Sequence, residues 1–165
     1  MILDLEPIFN VEGSVKDFAY EIDLTKEALD SDYPFTTPVS VKGDIHNRAG
    51  IVEIETTADF VLDICCDRCA KPLKYPYTVD INHTLVVSLN DDENDELILV
   101  DDVHQFNVDE LITDDIFLNL PAKFLCSEDC KGLCPKCGAD LNEGACNCKK
   151  EIDPRLAALQ QLLED

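Results

Sequence analysis

The residues best suited to chemistry in this chain are cysteines, and their spacing points to metal ligation. Six of the nine fall within residues 126–148, in the order Cys126-x3-Cys130-x3-Cys134-x2-Cys137 and then Cys146-x-Cys148. Cys134-Pro135-Lys136-Cys137-Gly138 has the form of a zinc knuckle: a tight turn lets two sulfurs reach one ion, and glycine after the second cysteine relaxes the backbone. Cys146 and Cys148 can supply the other pair, and four thiolates at ~2.3 Å from zinc close a tetrahedron with no position left for water. Cys126 and Cys130 then need partners, and the only other closely spaced pair is Cys66 and Cys69. The expected cofactor is therefore zinc, as two ions, one held by Cys66, Cys69, Cys126 and Cys130 and the other by Cys134, Cys137, Cys146 and Cys148. A single ion with several free thiols is the alternative. Cys65 is left over; its parity on an extended strand opposes that of Cys66, so it should point away from the site.

Other chemistries fit these residues poorly. The chain has no Gly-x-Ser-x-Gly, P-loop, dinucleotide fingerprint or His-Glu-x-x-His helix. A catalytic zinc ordinarily keeps three protein ligands, often His or carboxylate, and a water. An all-cysteine set this dense indicates structural metal in a protein that is not an enzyme and has no small-molecule substrate. A redox or metal-sensing role for the thiols is an alternative, but the residues after Cys69 alternate as a strand instead of opening the helix expected of a redox Cys-x-x-Cys. His83 lies on an apolar strand face, nine residues from Lys74 or ~30 Å of extended chain, and reads as a core or strand-end residue. His46 and His104 fall in expected turns. Residues 91–96, Asp-Asp-Glu-Asn-Asp-Glu, match no EF-hand spacing and read as a solvated loop.

Composition bounds these readings. A chain of 165 residues with 45% hydrophobic content can form one core with a small appended module. The first residues carry acids where a secretory signal has a basic stretch, and no long apolar segment occurs, so a cytoplasmic location without membrane insertion is expected. In a reducing compartment nine cysteines suit metal better than disulfides. The net charge of −22 makes the molecule as a whole repel nucleic acid. The charge is uneven, however: residues 76–120 contain twelve Asp/Glu and no Lys or Arg, whereas nine of thirteen basic residues lie in 66–75 and 121–155, beside eight of the cysteines. If an RNA or other anionic partner is touched, Arg68, Lys71, Lys131 and Lys136 are the expected contacts. The alternative is that these cations only offset thiolate charge.

The positioning elements follow from periodicity. Residues 15–24 and 39–45 read as short strands, the second with Val39, Val41, Gly43 and Ile45 on one parity. Val52, Ile54, Thr56, Ala58, Phe60, Leu62 and Ile64 alternate with more polar neighbours, and the alternation resumes through Tyr75, Tyr77, Val79, Ile81, His83, Leu85, Val87 and Leu89. Residues 50–90 should thus form a long antiparallel hairpin with Cys66 and Cys69 at its tip. Residues 97–100 form a short strand, and a helix over 108–120 starts at an Asn107 N-cap with Glu110 completing a capping box. A last helix follows Asp153-Pro154, with Leu156, Leu159 and Leu163 on one face. The expected fold is α+β: a mainly antiparallel sheet with a packed helix over residues 1–121, and a cysteine-rich zinc-binding C-terminal module with a final helix over 122–165.

Several of these residues also carry a resemblance. Cys66-x-Arg68-Cys69, Leu118-x-Leu120-Pro121, Cys126-x-x-Asp129-Cys130-x-Gly132-Leu133-Cys134-Pro135-x-Cys137-Gly138, Leu141-Asn142, Cys146-x-Cys148 and Asp153-Pro154-Arg155 resemble the YceD family, the large ribosomal RNA subunit accumulation proteins. The likeness covers about residues 50–165. It implies a role in 23S ribosomal RNA synthesis, processing or stability and in large-subunit assembly. The implied partners are ribosomal RNA or an assembly intermediate, or a basic ribosomal protein meeting the acidic surface. No catalytic reaction is implied.

Overall fold

The structure is a computed structural model that describes residues 1–29, 32–88 and 97–148. Nine elements follow one another among them: β1 (Ile2–Leu3), α1 (Glu6–Asn10), β2 (Val15–Ile22), β3 (Val39–Arg48), β4 (Ile51–Cys65), β5 (Pro72–Val86), β6 (Leu97–Leu99), β7 (Phe106–Asn107) and α2 (Val108–Asn119). The acidic run 91–96, Leu89 and the helix expected after Pro154 lie outside the described residues.

Strict alternation produces the two longest strands. On β4 the side chains of Val52, Ile54, Thr56, Ala58, Phe60 and Leu62 are buried, and on β5 those of Val79, Ile81 and Leu85, because successive residues of a strand face opposite sides of the sheet. Thr57 bonds Asp80 and Thr78 bonds Asp59, so one index rises as the other falls: the pair is antiparallel. The full sheet runs β2-β3-β4-β5-β6. β2, β3 and β4 pair antiparallel, with Val41 opposite Ala58 and Ile45 opposite Ile54. β6 joins the far edge parallel to β5, with Leu85 opposite Ile98. The fold is thus the expected α+β with a mainly antiparallel sheet, to which β6 adds a parallel edge.

The chain divides into two compact units. One comprises Met1–Ile64 and Pro72–Phe124. In it α2 buries Val108, Ile112 and Ile116 in the core, and His83 Nε2 on β5 lies 2.7 Å from Asp115 Oδ2 on α2. Phe35 is almost fully buried, with ring centroids 5.4 Å from Phe60 and 5.9 Å from Phe117. The other unit comprises, among the described residues, Cys65–Lys71 together with residues 125–148. It is discontinuous in sequence because the tip of the β4–β5 hairpin folds with the C-terminal segment. Among the described residues no helix is long and apolar enough to cross a membrane.

Local details depart from expectation for physical reasons. β3 continues past Ile45 to Arg48, so His46 is a buried strand residue and not part of a turn; its Nδ1 lies 2.8 Å from Asp44 Oδ2 and its Nε2 3.5 Å from Glu53 Oε2. Asn107 precedes α2 as expected, but its side chain makes no cap. Asn107 is already paired with Ile2 between β7 and β1, the Val108 N–H is taken by the Met1 carbonyl at 3.0 Å, and the Asn107 amide turns to Glu110 Oε2. Val87 lies beyond the end of β5 and is exposed.

Candidate metal centres

Each candidate centre begins with a Cys-x-x-Cys turn, and the two turns share one hydrogen-bond pattern. In the first, the Ala70 N–H donates to the Cys66 carbonyl at 2.8 Å and the Cys66 N–H to the Lys71 carbonyl at 2.9 Å. In the second, the Gly138 N–H donates to the Cys134 carbonyl and the Cys134 N–H to the Ala139 carbonyl, both at 2.8 Å. Closing such a turn needs a left-handed residue just after the second cysteine. Gly138 adopts φ 72° there without steric cost, whereas Ala70 is held at φ 56°. The first turn is seeded by the β4–β5 hairpin, and the second sits in a small hairpin closed by the Leu133–Asp140 bridge.

The remaining cysteines complete two groups of four. The sulfurs of Cys66, Cys69, Cys126 and Cys130 all lie within 4.8 Å of one another, as do those of Cys134, Cys137, Cys146 and Cys148. These are the same two sets into which spacing divides the cysteines. Cys65 is exposed and outside both. Cys66 and Cys130 Sγ are 3.8 Å apart, and Cys69 and Cys126 Sγ 3.6 Å. A tetrahedron with sulfurs ~2.3 Å from its centre has edges of about 3.8 Å, while a disulfide requires ~2.05 Å. The geometry therefore fits a tetrahedral thiolate-bound ion such as zinc.

Hydrogen bonds and crowding split the thiols of each group. Burial pushes the Cys66 thiol up, but the N–H groups of Cys69, Cys126 and Arg68 outweigh it and bring the thiol down to about 6. The Cys126 N–H itself donates to Cys66 Sγ at 3.3 Å. The Cys134 thiol is likewise brought down to about 6, by the N–H groups of Cys137 and Lys136. In the opposite direction, the Lys71 N–H favours a Cys69 thiolate, but burial and the sulfurs of Cys126, Cys66 and Cys130 push its thiol up to about 12. Cys148 is pushed up to about 12 by the neighbouring Cys137 sulfur and by burial. Each group thus contains one sulfur ready to carry charge and at least one that keeps its proton beside crowded neighbours, Cys126 as well as Cys69 in the first, and a bound dication would displace such protons.

Tertiary structure adds partners that spacing could not supply. Arg68 Nη1 donates to the Cys130 carbonyl at 2.7 Å, and the Arg68 carbonyl accepts the Leu133 N–H at 3.0 Å. The Asn142 amide donates to Cys130 Sγ at 3.5 Å. Only Asn142's place in the motif string hinted at a role for it. Arg68, Lys71, Lys131 and Lys136 are all exposed in this unit, with the Arg68 guanidinium also committed to the Cys130 carbonyl.

An α+β protein with two all-cysteine groups, each able to hold a metal ion, is the class that fold and site define. The chain belongs to the YceD family, whose sequence model, described as large ribosomal RNA subunit accumulation protein YceD, matches residues 54–163. YlbN of Bacillus subtilis is 32% identical over 149 residues, which span 86% of this chain and 83% of that protein. A relative in Arabidopsis thaliana, named large ribosomal RNA subunit accumulation protein YCED homolog 1, chloroplastic, is 26% identical over 78% of this chain and 48% of its own. Its namesake in Zea mays is 28% identical over 68% of this chain and 49% of its own. The chain thus spans about half the length of these plant relatives. No solved structure matches.

Proposed function

We propose that this protein is a cytoplasmic, non-catalytic factor that supports the accumulation of 23S ribosomal RNA and large-subunit assembly, and that zinc at both cysteine groups builds the unit through which it acts. The observation that carries the reading is one unit containing two groups of four sulfurs, each within 4.8 Å of one another, together with exposed Arg68, Lys71, Lys131 and Lys136. The family and the name of the Arabidopsis relative support the ribosomal part. All eight donors are cysteine sulfurs, soft ligands that suit zinc and a structural role once deprotonated by the ion. Zinc, when bound, would supply the charge that lets four sulfurs share one small space. Cys66, Cys69, Cys126 and Cys130 would hold one ion, and Cys134, Cys137, Cys146 and Cys148 the other. The four basic side chains would then meet phosphates of ribosomal RNA or of an assembly intermediate.

A second reading, contact with a basic ribosomal protein, is favoured by the outward face of the sheet. There Asp17 is registered opposite Asp44, and Asp44 opposite Glu55, with Glu21, Asp59 and Asp80 exposed on the same face. Like charges in direct register cost stability and invite a cationic partner.

Ultraviolet crosslinking and affinity capture at low salt, with and without EDTA and RNase, separate the readings. Ribosomal RNA crosslinks that vanish with EDTA and weaken in Lys131→Ala and Lys136→Ala support the first. Ribosomal-protein partners that survive RNase and EDTA, without RNA crosslinks, support the second. Absence of any ribosomal component overturns both.

A further inference from the structure

We propose that Asn142 is a positioning residue that couples the two cysteine groups, so that metal at one raises the affinity of the other. The inference rests on the two-centre reading. Asn142 lies between Cys137 and Cys146, inside the stretch of chain that an ion at the second group closes into a loop. Its side chain, however, serves the first group. Oδ1 accepts the Lys131 N–H at 2.7 Å, while Nδ2 donates to Cys130 Sγ at 3.5 Å and to Asp140 Oδ1 at 2.7 Å. A backbone N–H can only donate and a carboxylate can only accept, so the amide has one workable orientation, with its N–H toward the sulfur. The Asn142 N–H also donates to Asp140 Oδ1 at 2.8 Å, which holds the side chain's root in place.

The backbone carries the same link. The Leu141 N–H donates to the Gly132 carbonyl at 2.9 Å, and Leu133 in turn donates to the Arg68 carbonyl within the first Cys-x-x-Cys turn. Residues 131–133 therefore join Cys130 and the Arg68 turn of the first group to the loop closed by the second. Ordering that loop with one ion places the amide donor on Cys130, so the second ion meets a site whose ordering cost has been met. The N–H contact to Cys130 Sγ also fixes the direction in which that sulfur is presented. The coupling must be reciprocal, since linkage requires each ion to change the other's affinity by the same factor. Loss of a partner that orients a metal ligand typically lowers affinity 10- to 100-fold, which sets the expected size at about that range.

The test uses the full chain stripped of metal and titrated with cadmium-113, each group giving its own resonance. Assignment comes from the Cys137→Ser/Cys146→Ser variant, which removes the second group. With coupling, that variant binds cadmium at the first group about 10- to 100-fold more weakly than the parent chain. Asn142→Ala weakens the first group in the parent but has little further effect in the double-serine background. Asn142→Asp keeps an acceptor for Lys131 and loses the donor to sulfur. It should shift the first group's resonance while leaving circular dichroism unchanged, a signature that a merely structural role would not produce. Two ions that bind independently, or an Asn142→Ala effect undiminished in the double-serine background, overturn the coupling alone. Uptake of one ion or none by the parent chain overturns the two-centre reading and the coupling with it.

Discussion

The carbonyl oxygen of Arg68 lies 2.8 Å from where a Cβ on Gly132 would stand, and Gly132 is held at φ 73°. The first Cys-x-x-Cys turn and the segment between Cys130 and Cys134 thus meet backbone to backbone, through a residue that tolerates neither a side chain nor ordinary dihedrals. Gly132→Ala combines left-handed strain of about 1–2 kcal/mol with a backbone clash that flexible atoms cannot relieve. Gly138→Ala has the same φ penalty and open space. The expected outcome is faster zinc loss to a chelator and a lower Tm for Gly132→Ala than for Gly138→Ala; equal effects would remove the close approach as the cause.

The alanine in the first turn is a stability reserve. Ala70 stands at φ 56° in the place that Gly138 fills in the second turn. Ala70→Gly relieves the left-handed strain but adds freedom to the unfolded chain, for a net gain of up to about 1 kcal/mol. Chemical denaturation of the zinc-loaded protein should move to a higher midpoint, and a lower one would count against the turn geometry.

Metal quantitation resolves the ligand sets. Cys66→Ser and Cys137→Ser should each lower bound zinc by one ion per chain, together by two, while Cys65→Ser leaves it unchanged, since Cys65 is exposed and outside both groups. A loss on Cys65→Ser would reassign the first centre.

Removal of metal should act locally. With EDTA the Cys134 and Leu133 N–H groups, which donate to the Ala139 and Arg68 carbonyls, should lose hydrogen-exchange protection. The N–H groups of β3 and β4 should keep theirs, because the hydrophobic core of that unit includes none of the eight grouped cysteines. Uniform loss of protection would show that metal supports the sheet as well.

The His83–Asp115 contact is a test of the sheet unit independent of metal. The two side chains are 18% and 13% exposed and 2.7 Å apart. Asp115→Ala leaves a partly buried histidine without its acceptor and should cost about 1–3 kcal/mol by urea denaturation, with zinc content unchanged. A cost below a few tenths of a kcal/mol would mean that solvent replaces the bond.

Sequence alone was sufficient wherever the deciding interactions are local or periodic. The period-two run from Val52 to Leu62 determines which face of β4 is buried, since a slip of one residue would expose the whole set. The Cys134-x-x-Cys137-Gly138 turn closes through hydrogen bonds only four or five residues apart, so its form is written in six consecutive residues. Tertiary structure decided what depends on distant partners. Phe35, in a loop with no periodic signal, becomes core because Phe60 and Phe117 surround it. Asn107 is a cap by type, yet pairing with Ile2 takes it into a strand, and four apolar residues at 97–100 specify no direction for β6. The cysteines themselves show both sides: their number and spacing already divide eight of them into the two groups that the fold brings together. That an asparagine between two cysteines of one group should donate to a sulfur of the other could come only from folding residues 130 and 142 together around the Arg68 backbone.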